Sequence, residues 1–566
     1  MEPEMITQYE ITNFKAFSGP ESIPIKPITL IFGPNSSGKS SLLQSLLLLK
    51  QTMNDTQKTV PLVFKGDLTD LGNYRELVYR HDMENSFSVR VTVQKAEALT
   101  SFFNYYSDQI SRSDFTELEE SLRETQNIGM KISFSRPRTG AGVAISSMEL
   151  FPADSSSPAI KYEPFGFQNL SENDILHTSI SSEDFAIGRR MVLAHGINEE
   201  HPYWAQHWMA MQNSEVRDIE DLLRKSPEDR EALIVLNKIL PDERWYDFRE
   251  EWEGGEAGYF GELVRTVSDW RGLKRFELAK KAYQEIYGGD SLLLNHFLPD
   301  ELNSADPFSA PEYMPAVETR NPSLLMLIIA AAFKSFLENI AYIGPSRINP
   351  ERYFTFTGTA ADYVGKSGNF VPDMLVGNRQ LLDKINEHFA RLNLDYELRL
   401  SSLSDPDCDV HDVFALRLYS KSTEIHVGIT DVGYGLSQIL PVIVQSLLVS
   451  RKTILIEQPE LHLHPALQAE LGDVFIESAL GERNNSFMIE THSEHLLLRV
   501  MRRIRETFHG KLPEGLPQVR PQDVAVLYVG PDGAKSIIKE MPVNERGELM
   551  APWPGGFFEE DFEELF

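Results

Sequence analysis

The segment GPNSSGKS, Gly33 to Ser40, has the spacing G-x-x-x-x-G-K-S that cradles a polyphosphate. Its glycines let the backbone curl around an anion, and the free N–H groups of the helix that follows point at it. Lys39 supplies a point charge to the β- and γ-phosphates, and the Ser40 hydroxyl is the expected Mg2+ ligand. Gly33, Asn35, Ser36, Ser37, Gly38, Lys39, Ser40 and Ser41 are therefore the candidate nucleotide-binding residues. A second constellation lies far along the chain. TILIEQPELHLHP, residues 453–465, reads as a buried strand ending in acids, and IETHSE, residues 489–494, brings a histidine to the end of another strand.

The elements that must position these groups follow an α/β grammar. MITQYEITNF and IPIKPITLIF read as strands, the phosphate loop comes next, and LLQSLLLLKQT opens a helix. SFSVRVTVQ, GMKISFS and VAISSMELF alternate as antiparallel strands do. From about 165 to 305 the pattern turns helical and acidic, and this stretch holds five of the six tryptophans, Trp204, Trp208, Trp245, Trp252 and Trp270. Such aromatic content argues for a packed helical unit. After a proline-containing join, strands NIAYIG, VFALRLYS, TEIHVGI, TILIE and SFMIE alternate with helices. Short, almost wholly apolar strands such as TILI suit a sheet covered on both faces. The expected fold is α/β, with a P-loop nucleotide-binding domain built on a mixed sheet and split by a mainly helical insertion. Residues 1–160 and 321–566 form its two parts, and 161–320 the insertion.

Composition narrows the partners. The net charge of -30 disfavours non-specific phosphate binding by the whole surface, so any nucleic-acid contact must come from a local basic patch or a partner. One cysteine, Cys408, excludes an intramolecular disulfide and a cysteine-rich zinc site. No apolar run is long enough for a membrane span and no secretory leader is visible, so a cytoplasmic protein without membrane contact is expected.

In order along the chain, DVGYGLSQ, TILIEQPE, LHLHP and IETHSE resemble the motifs of the ABC-type ATPases of the SMC, RecF and OLD group. That resemblance implies a homodimer or higher oligomer closing around ATP and Mg2+. It makes GYGLSQ a variant signature with Gly435 and Ser437 facing the partner's nucleotide, puts Glu457 at the Mg2+ position, and makes His492 the switch histidine that senses the γ-phosphate. ITNFKAF, LTDLGNYRELV, AYIGPSR, IEQPELHLHPALQ and WPGGFFEEDFEELF are together similar to bacterial single-chain ATPases that include the PtuA-like members of Septu-type and retron-linked antiphage systems. This implies a separate effector protein, a nuclease. The helical middle carries no resemblance.

The sequence departs from the group at one telling position. Where the group has Asp then Glu, this chain has Glu457 and Gln458. An amide has no basic lone pair at neutral pH, so Gln458 can orient a water without taking its proton. Glu460 or His492 then becomes the proton acceptor, and slow or partner-dependent hydrolysis is expected. Two rivals follow: a DNA-repair ATPase that clamps DNA, and a nucleotide-gated scaffold that never cleaves ATP. A nuclease of its own is disfavoured, because only about seventy residues follow His492 and they already hold the strands DVAVLYVG and SIIKEM, which leaves no room for a metal-binding nuclease domain.

Several residues keep two readings. His462 and His464 are structural or metal-ligating. Arg347 reaches the phosphates or ends its strand in a salt bridge, and Lys15 contacts the nucleotide or is solvated. Arg502, Arg503 and Arg505 touch nucleic acid or complement a helix dipole. The aromatic tail, Trp553 to Phe566, docks a partner or packs back on the chain.

Overall fold

The structure is a computed structural model that describes residues 6–55, 60–106, 126–136, 142–151, 328–349, 351–356, 358, 363–391, 394–403 and 412–558. It also gives the backbone of 160–164, 191–197, 292–294 and 322–327. The chain divides into two compact units, one of residues 1–58, 62–97 and 332–566, the other of 59–61 and 98–331.

In the first unit, β1 (Ile6–Thr12) pairs antiparallel with β2 (Glu21–Pro24) and with β4 (Phe87–Gln94). Between them in sequence lies β3 (Ile28–Phe32), ITLIF, every residue of which is buried. This strand belongs to a different, six-stranded sheet. Its other members are β10 (Ile340–Ile343), β15 (Thr453–Glu457), β16 (Ser486–Glu490), β17 (Val524–Asp532) and β18 (Lys535–Glu540), in the order β10-β15-β16-β3-β17-β18. All neighbours are parallel except the edge pair β17 and β18. The mixed sheet expected from the sequence is present.

Helices α1 (Lys39–Met53), α2 (Tyr74–Leu77), α3 (Lys95–Tyr106) and α4 (Pro322–Glu338) precede β10 in the chain. After it come α5 (Val371–Gly377), α6 (Gln380–Arg391), α7 (Tyr434–Leu448), α8 (Pro465–Leu480) and α9 (Glu494–Phe508). In α1, Leu42, Leu43, Leu46, Leu47, Leu48 and Leu49 are all buried, as a helix that is apolar on most sides requires. The apolar runs of β3, β15 and β16 share one core with Leu440, Ile443 and Val444 of α7, Leu471 and Phe475 of α8 and Leu497 and Val500 of α9. A small antiparallel sheet, β11 (Phe354–Thr355), β12 (Tyr396–Ser402), β13 (Val413–Ser420) and β14 (His426–Gly428), is centred on β13.

The second unit contains an antiparallel series, β5 (Asn127–Ser135), β6 (Ala144–Phe151), β7 (Ile160–Pro164), β8 (Met191–Ile197) and β9 (Leu292–Leu294). Strands β8 and β9 fall inside the stretch read as helical. The local pattern had no way to show them, because their partners lie far off in sequence. The remainder of that stretch, with its five tryptophans, and Cys408 lie outside the described residues.

The tail answers one open reading. Trp553 and Phe558 set their rings edge-on to Phe32, with centroids 5.5 and 5.7 Å away, and Tyr528 meets Phe557 at 5.6 Å. Trp553, Phe557 and Phe558 thus pack back onto the core, while Phe562 and Phe566 lie outside the described residues. The arginine run is also spent within the chain. Arg503 forks onto Asp473 at 2.7 Å, Arg502 pairs with Glu506 at 2.7 Å, and Arg505 donates to the Arg546 and Gly547 carbonyls.

Candidate nucleotide-binding site

The sheet order brings the distant motifs together. Three neighbouring parallel strands, β15, β16 and β3, end on one side of the sheet, the edge at which open α/β sheets bind ligands. β3 runs into the phosphate loop, β15 ends in Glu457 and β16 ends in Glu490. Their register is direct: Glu457 lies opposite Glu490, and Glu490 opposite Ile31. Glu490 therefore stands between Glu457 and the strand that leads into the phosphate loop. IETHSE contained this glutamate, but its significance depends on strand order, which no local spacing encodes.

The loop itself has the backbone of an anion cradle. Gly33, Ser36 and Gly38 have φ of 146°, 62° and 100°, and α1 begins directly after Gly38. Lys39 is buried, and its Nζ donates to the Gly33 and Pro34 carbonyls, both at 2.9 Å. Burial lowers the pKa of this ammonium, while Glu490 and Glu460 oppose the shift. The Ser37 hydroxyl is buried without a hydrogen-bond partner among the described residues, and the Ser40 hydroxyl lies within hydrogen-bonding reach of the Glu490 carboxylate. Asn35 and Ser36 are on the surface of the loop, and Ser41 donates its N–H to the Gly38 carbonyl at 3.0 Å.

Three carboxylates lie at or just beyond these strand ends, and two of them, Glu490 and Glu460, act on this cation. Glu457 accepts a 2.6 Å hydrogen bond from the Tyr342 hydroxyl, and burial raises its pKa despite that bond. Glu460 accepts from the Thr491 hydroxyl and from the His492 N–H, each at 2.7 Å. Both of its oxygens are thus engaged in tying the turn after β15 to the turn after β16; burial raises its pKa as well. Glu490 is pushed up to about 7, chiefly by burial and further by Glu457 and Glu460, against the opposing pull of Ser40 and Lys39. His492 is half-buried, and burial and Lys39 keep its imidazole below its ordinary pKa, hence neutral at pH 7.

Gln458 occupies the left-handed region at φ 46°. Side chains other than glycine pay about 1 kcal/mol or more there, so the surroundings must hold it. Its N–H donates to the Glu490 carbonyl at 2.8 Å, and its own carbonyl accepts from Leu461 N–H at 3.2 Å. Arg347, buried beneath, donates from Nη2 to the Glu457 carbonyl at 3.1 Å and to the Gln458 carbonyl at 3.4 Å. Burial pulls its pKa down to about 10, and its Nε and Nη1 are buried without hydrogen-bond partners among the described residues. Arg347 thus fixes the turn that carries Gln458.

Ser437 is buried in the first turns of α7. A Cβ on Gly435 would lie 2.6 Å from the His462 carbonyl oxygen, so only glycine lets α7 approach the turn after β15 this closely. His464 caps α8, its Nδ1 accepting the Ala466 N–H at 3.3 Å. Among the described residues, no group of three or more His, Cys, Asp or Glu has metal-binding geometry. Lys15 has φ 50°, and Glu76 is the charge that opposes the lowering of its pKa by burial.

The residues fit a nucleotide with its metal. The cradle, the buried Lys39, the unpartnered Ser37 hydroxyl and the acids at the strand ends supply donors for phosphate and oxygen ligands for a hard cation. The raised pKa of Glu490 also has a measurable consequence. An unfolded chain loses this proton near 4.5 and the folded chain near 7, so between these values the folded state binds more protons and its stability falls as pH rises. Between pH 5 and 8, the nucleotide-free protein is expected to lose a few degrees more of melting temperature than its Glu490→Gln variant. Parallel pH profiles of the two would refute the assignment.

Comparison with known proteins agrees with this geometry. The AAA ATPase domain matches residues 5–135 and 361–497, which include Lys39, Ser40, Ser437, Glu457, Gln458, Glu490 and His492. No curated protein matches the chain in sequence. Among solved structures, the Smc head domain with an extended coiled coil bound to the C-terminal domain of ScpA, from Pyrococcus furiosus, is similar at 11% identity and a TM-score of 0.34, over 99% of this chain and 98% of that one. The SMC head domain from Thermotoga maritima gives 10% identity and 0.33, over 95% and 100%. Likeness at that level carries no functional argument. The sequence match to the AAA ATPase domain thus falls in two separate segments, just under half of the chain, and takes in both the phosphate loop and the strand-end acids described above.

Proposed function

We propose that this chain binds ATP with Mg2+ at the ends of β3, β15 and β16, cleaves it slowly, and uses nucleotide-controlled dimerisation to regulate a separate effector. The observation that carries the reading is the convergence of Lys39, Ser40 and Glu457 at neighbouring strand ends. On binding, Lys39 exchanges its two loop carbonyls for phosphate oxygens. Ser40 and Glu457 hold the Mg2+, which when bound neutralises charge on the phosphates. Gln458, fixed by Arg347 and by the Glu490 carbonyl, orients water without accepting its proton. Both Glu460 oxygens are engaged, so Glu460 positions the two turns, and the neutral His492 is the proton acceptor we assign.

Gly435 and Ser437 complete the site of a second copy in a homodimer. The close contact of Gly435 with the His462 carbonyl supports this, because it links the start of α7 to the turn that carries Gln458. Closure then follows from tighter binding of ATP to the dimer than to the open chain. The quoted motifs similar to PtuA-like ATPases support a cytoplasmic role in antiphage defence with a nuclease as effector. The pairing of Arg502, Arg503 and Arg505 within the chain speaks against a nucleic-acid patch there.

The test is equilibrium ATP binding and single-turnover cleavage with Mg2+, comparing wild type with Gln458→Glu. Tight binding with slow cleavage is expected, and Gln458→Glu should speed cleavage about tenfold or more, since a positioned general base contributes on the order of a hundredfold. Failure of the wild type to bind ATP would sink the proposal. A second reading, a nucleotide-gated scaffold, is favoured by Gln458 itself. Binding without any cleavage by the wild type, with cleavage gained in Gln458→Glu, would select it.

A further inference from the structure

We infer that the divalent cation of this site is held by two carboxylates, Glu457 and Glu490, together with Ser40, and not by Glu457 alone. The inference rests on the reading that the site takes a metal with its nucleotide. It departs from the sequence motif, which gives the strand-end acid of TILIE as the single metal carboxylate.

Strand order is the first ground. β16, and not β15, adjoins β3, so the acid beside the phosphate-loop strand is Glu490. The Ser40 hydroxyl is also within hydrogen-bonding reach of Glu490, whereas Glu457 is engaged from its other side by Tyr342. Second, Glu490 is only 4% exposed and its Oε2 has no hydrogen-bond partner among the described residues. A buried acceptor left unmade costs about 1–3 kcal/mol, and more when charged. Third, Glu457 and Glu490 are register partners on parallel strands, a spacing of about 4.8 Å between backbones. Two buried carboxylates this near repel unless a proton or a cation lies between them. A doubly charged cation resolves the repulsion and supplies the partner that Oε2 lacks.

Two carboxylates and a hydroxyl fall short of an all-protein cage. That matches Mg2+, which keeps several waters and takes substrate phosphates as further ligands. Two acids in place of one also give the empty site affinity of its own, so the cation binds before the nucleotide arrives.

The experiment is a titration of the full chain with Mn2+, without nucleotide, followed by electron paramagnetic resonance and repeated for Glu490→Gln, Glu490→Asp and Glu457→Gln. Each variant is checked for folding by circular dichroism. Wild type is expected to bind one Mn2+ without nucleotide, and Glu490→Gln and Glu457→Gln each to bind it tenfold or more weakly. Glu490→Asp keeps the charge and should fall between, which keeps the test informative if the amide variant misfolds. Mn2+ affinity unchanged in Glu490→Gln, or no Mn2+ binding by wild type without nucleotide, would overturn the inference. ATP binding in the presence of Mg2+ is measured on the same samples. Its absence in wild type would refute the nucleotide-site reading, whereas its presence beside a silent Glu490 would refute only the two-carboxylate site.

Discussion

Lys39→Ala is expected to weaken ATP binding by about a hundredfold or more and to abolish cleavage. The ammonium is already in place before nucleotide enters, held at 2.9 Å by the Gly33 and Pro34 carbonyls and kept charged by Glu490 and Glu460 against the cost of burial. When phosphate arrives the ammonium exchanges these neutral carbonyls for charged oxygens without leaving the loop, and the stronger charge-assisted bonds appear as affinity. Truncating one partner of a buried, hydrogen-bonded charge pair costs about 2–5 kcal/mol, at 1.4 kcal/mol per factor of ten. The variant also leaves buried acids without their cation, so its melting temperature should drop as well. Isothermal titration with ATP and a single-turnover assay measure both effects. An affinity within threefold of wild type would mean that the nucleotide binds elsewhere.

Gly33→Ala should be the most damaging single-methyl change in the site, destabilising the domain by about 3 kcal/mol or more. A Cβ there would stand 1.9 Å from the Val529 carbonyl oxygen, which belongs to the backbone of β17 and cannot swing aside. The φ of 146° adds strain that an alanine rarely accepts. Backbone strain of about 1–3 kcal/mol and overpacking of a similar size act together. Gly19→Ala is the control, since nothing lies within 4 Å of a Cβ at that position. Chemical denaturation of the two variants separates them: Gly19→Ala should stay within about 0.5 kcal/mol of wild type. Equal stability of Gly33→Ala and wild type would disprove the tight contact between β3 and β17.

What could be read from the sequence was whatever depends on neighbours along the chain. GPNSSGKS following ITLIF required a strand, a cradle and a helix, and the structure places them as β3, the loop and α1. TILIE was legible as a strand covered on both faces because it is almost wholly apolar, and SFMIE as a strand, while their parallel pairing was not. Glu490 was missed as a site residue although it lies in a quoted motif. Its importance comes from β16 lying between β15 and β3, a long-range pairing. Arg347 stayed ambiguous for a related reason: which carbonyls it reaches depends on β10 lying beside β15. β8 and β9 were invisible because strand formation there depends on partners distant in sequence.

The flanking of β3 has a consequence for how the protein is made. Both hydrogen-bonded neighbours of this strand, β16 and β17, are translated several hundred residues after it, and its terminal Phe32 is covered by Trp553 and Phe558. At ribosomal rates of about 5–20 residues per second, ITLIF waits roughly half a minute to two minutes for its partners. During that interval its apolar edges are open to other chains, and the loop-closure entropy of so distant a pairing still has to be met. The phosphate-loop strand thus leaves the ribosome well before both strands that flank it, and its place in the sheet is completed only after synthesis has passed β17.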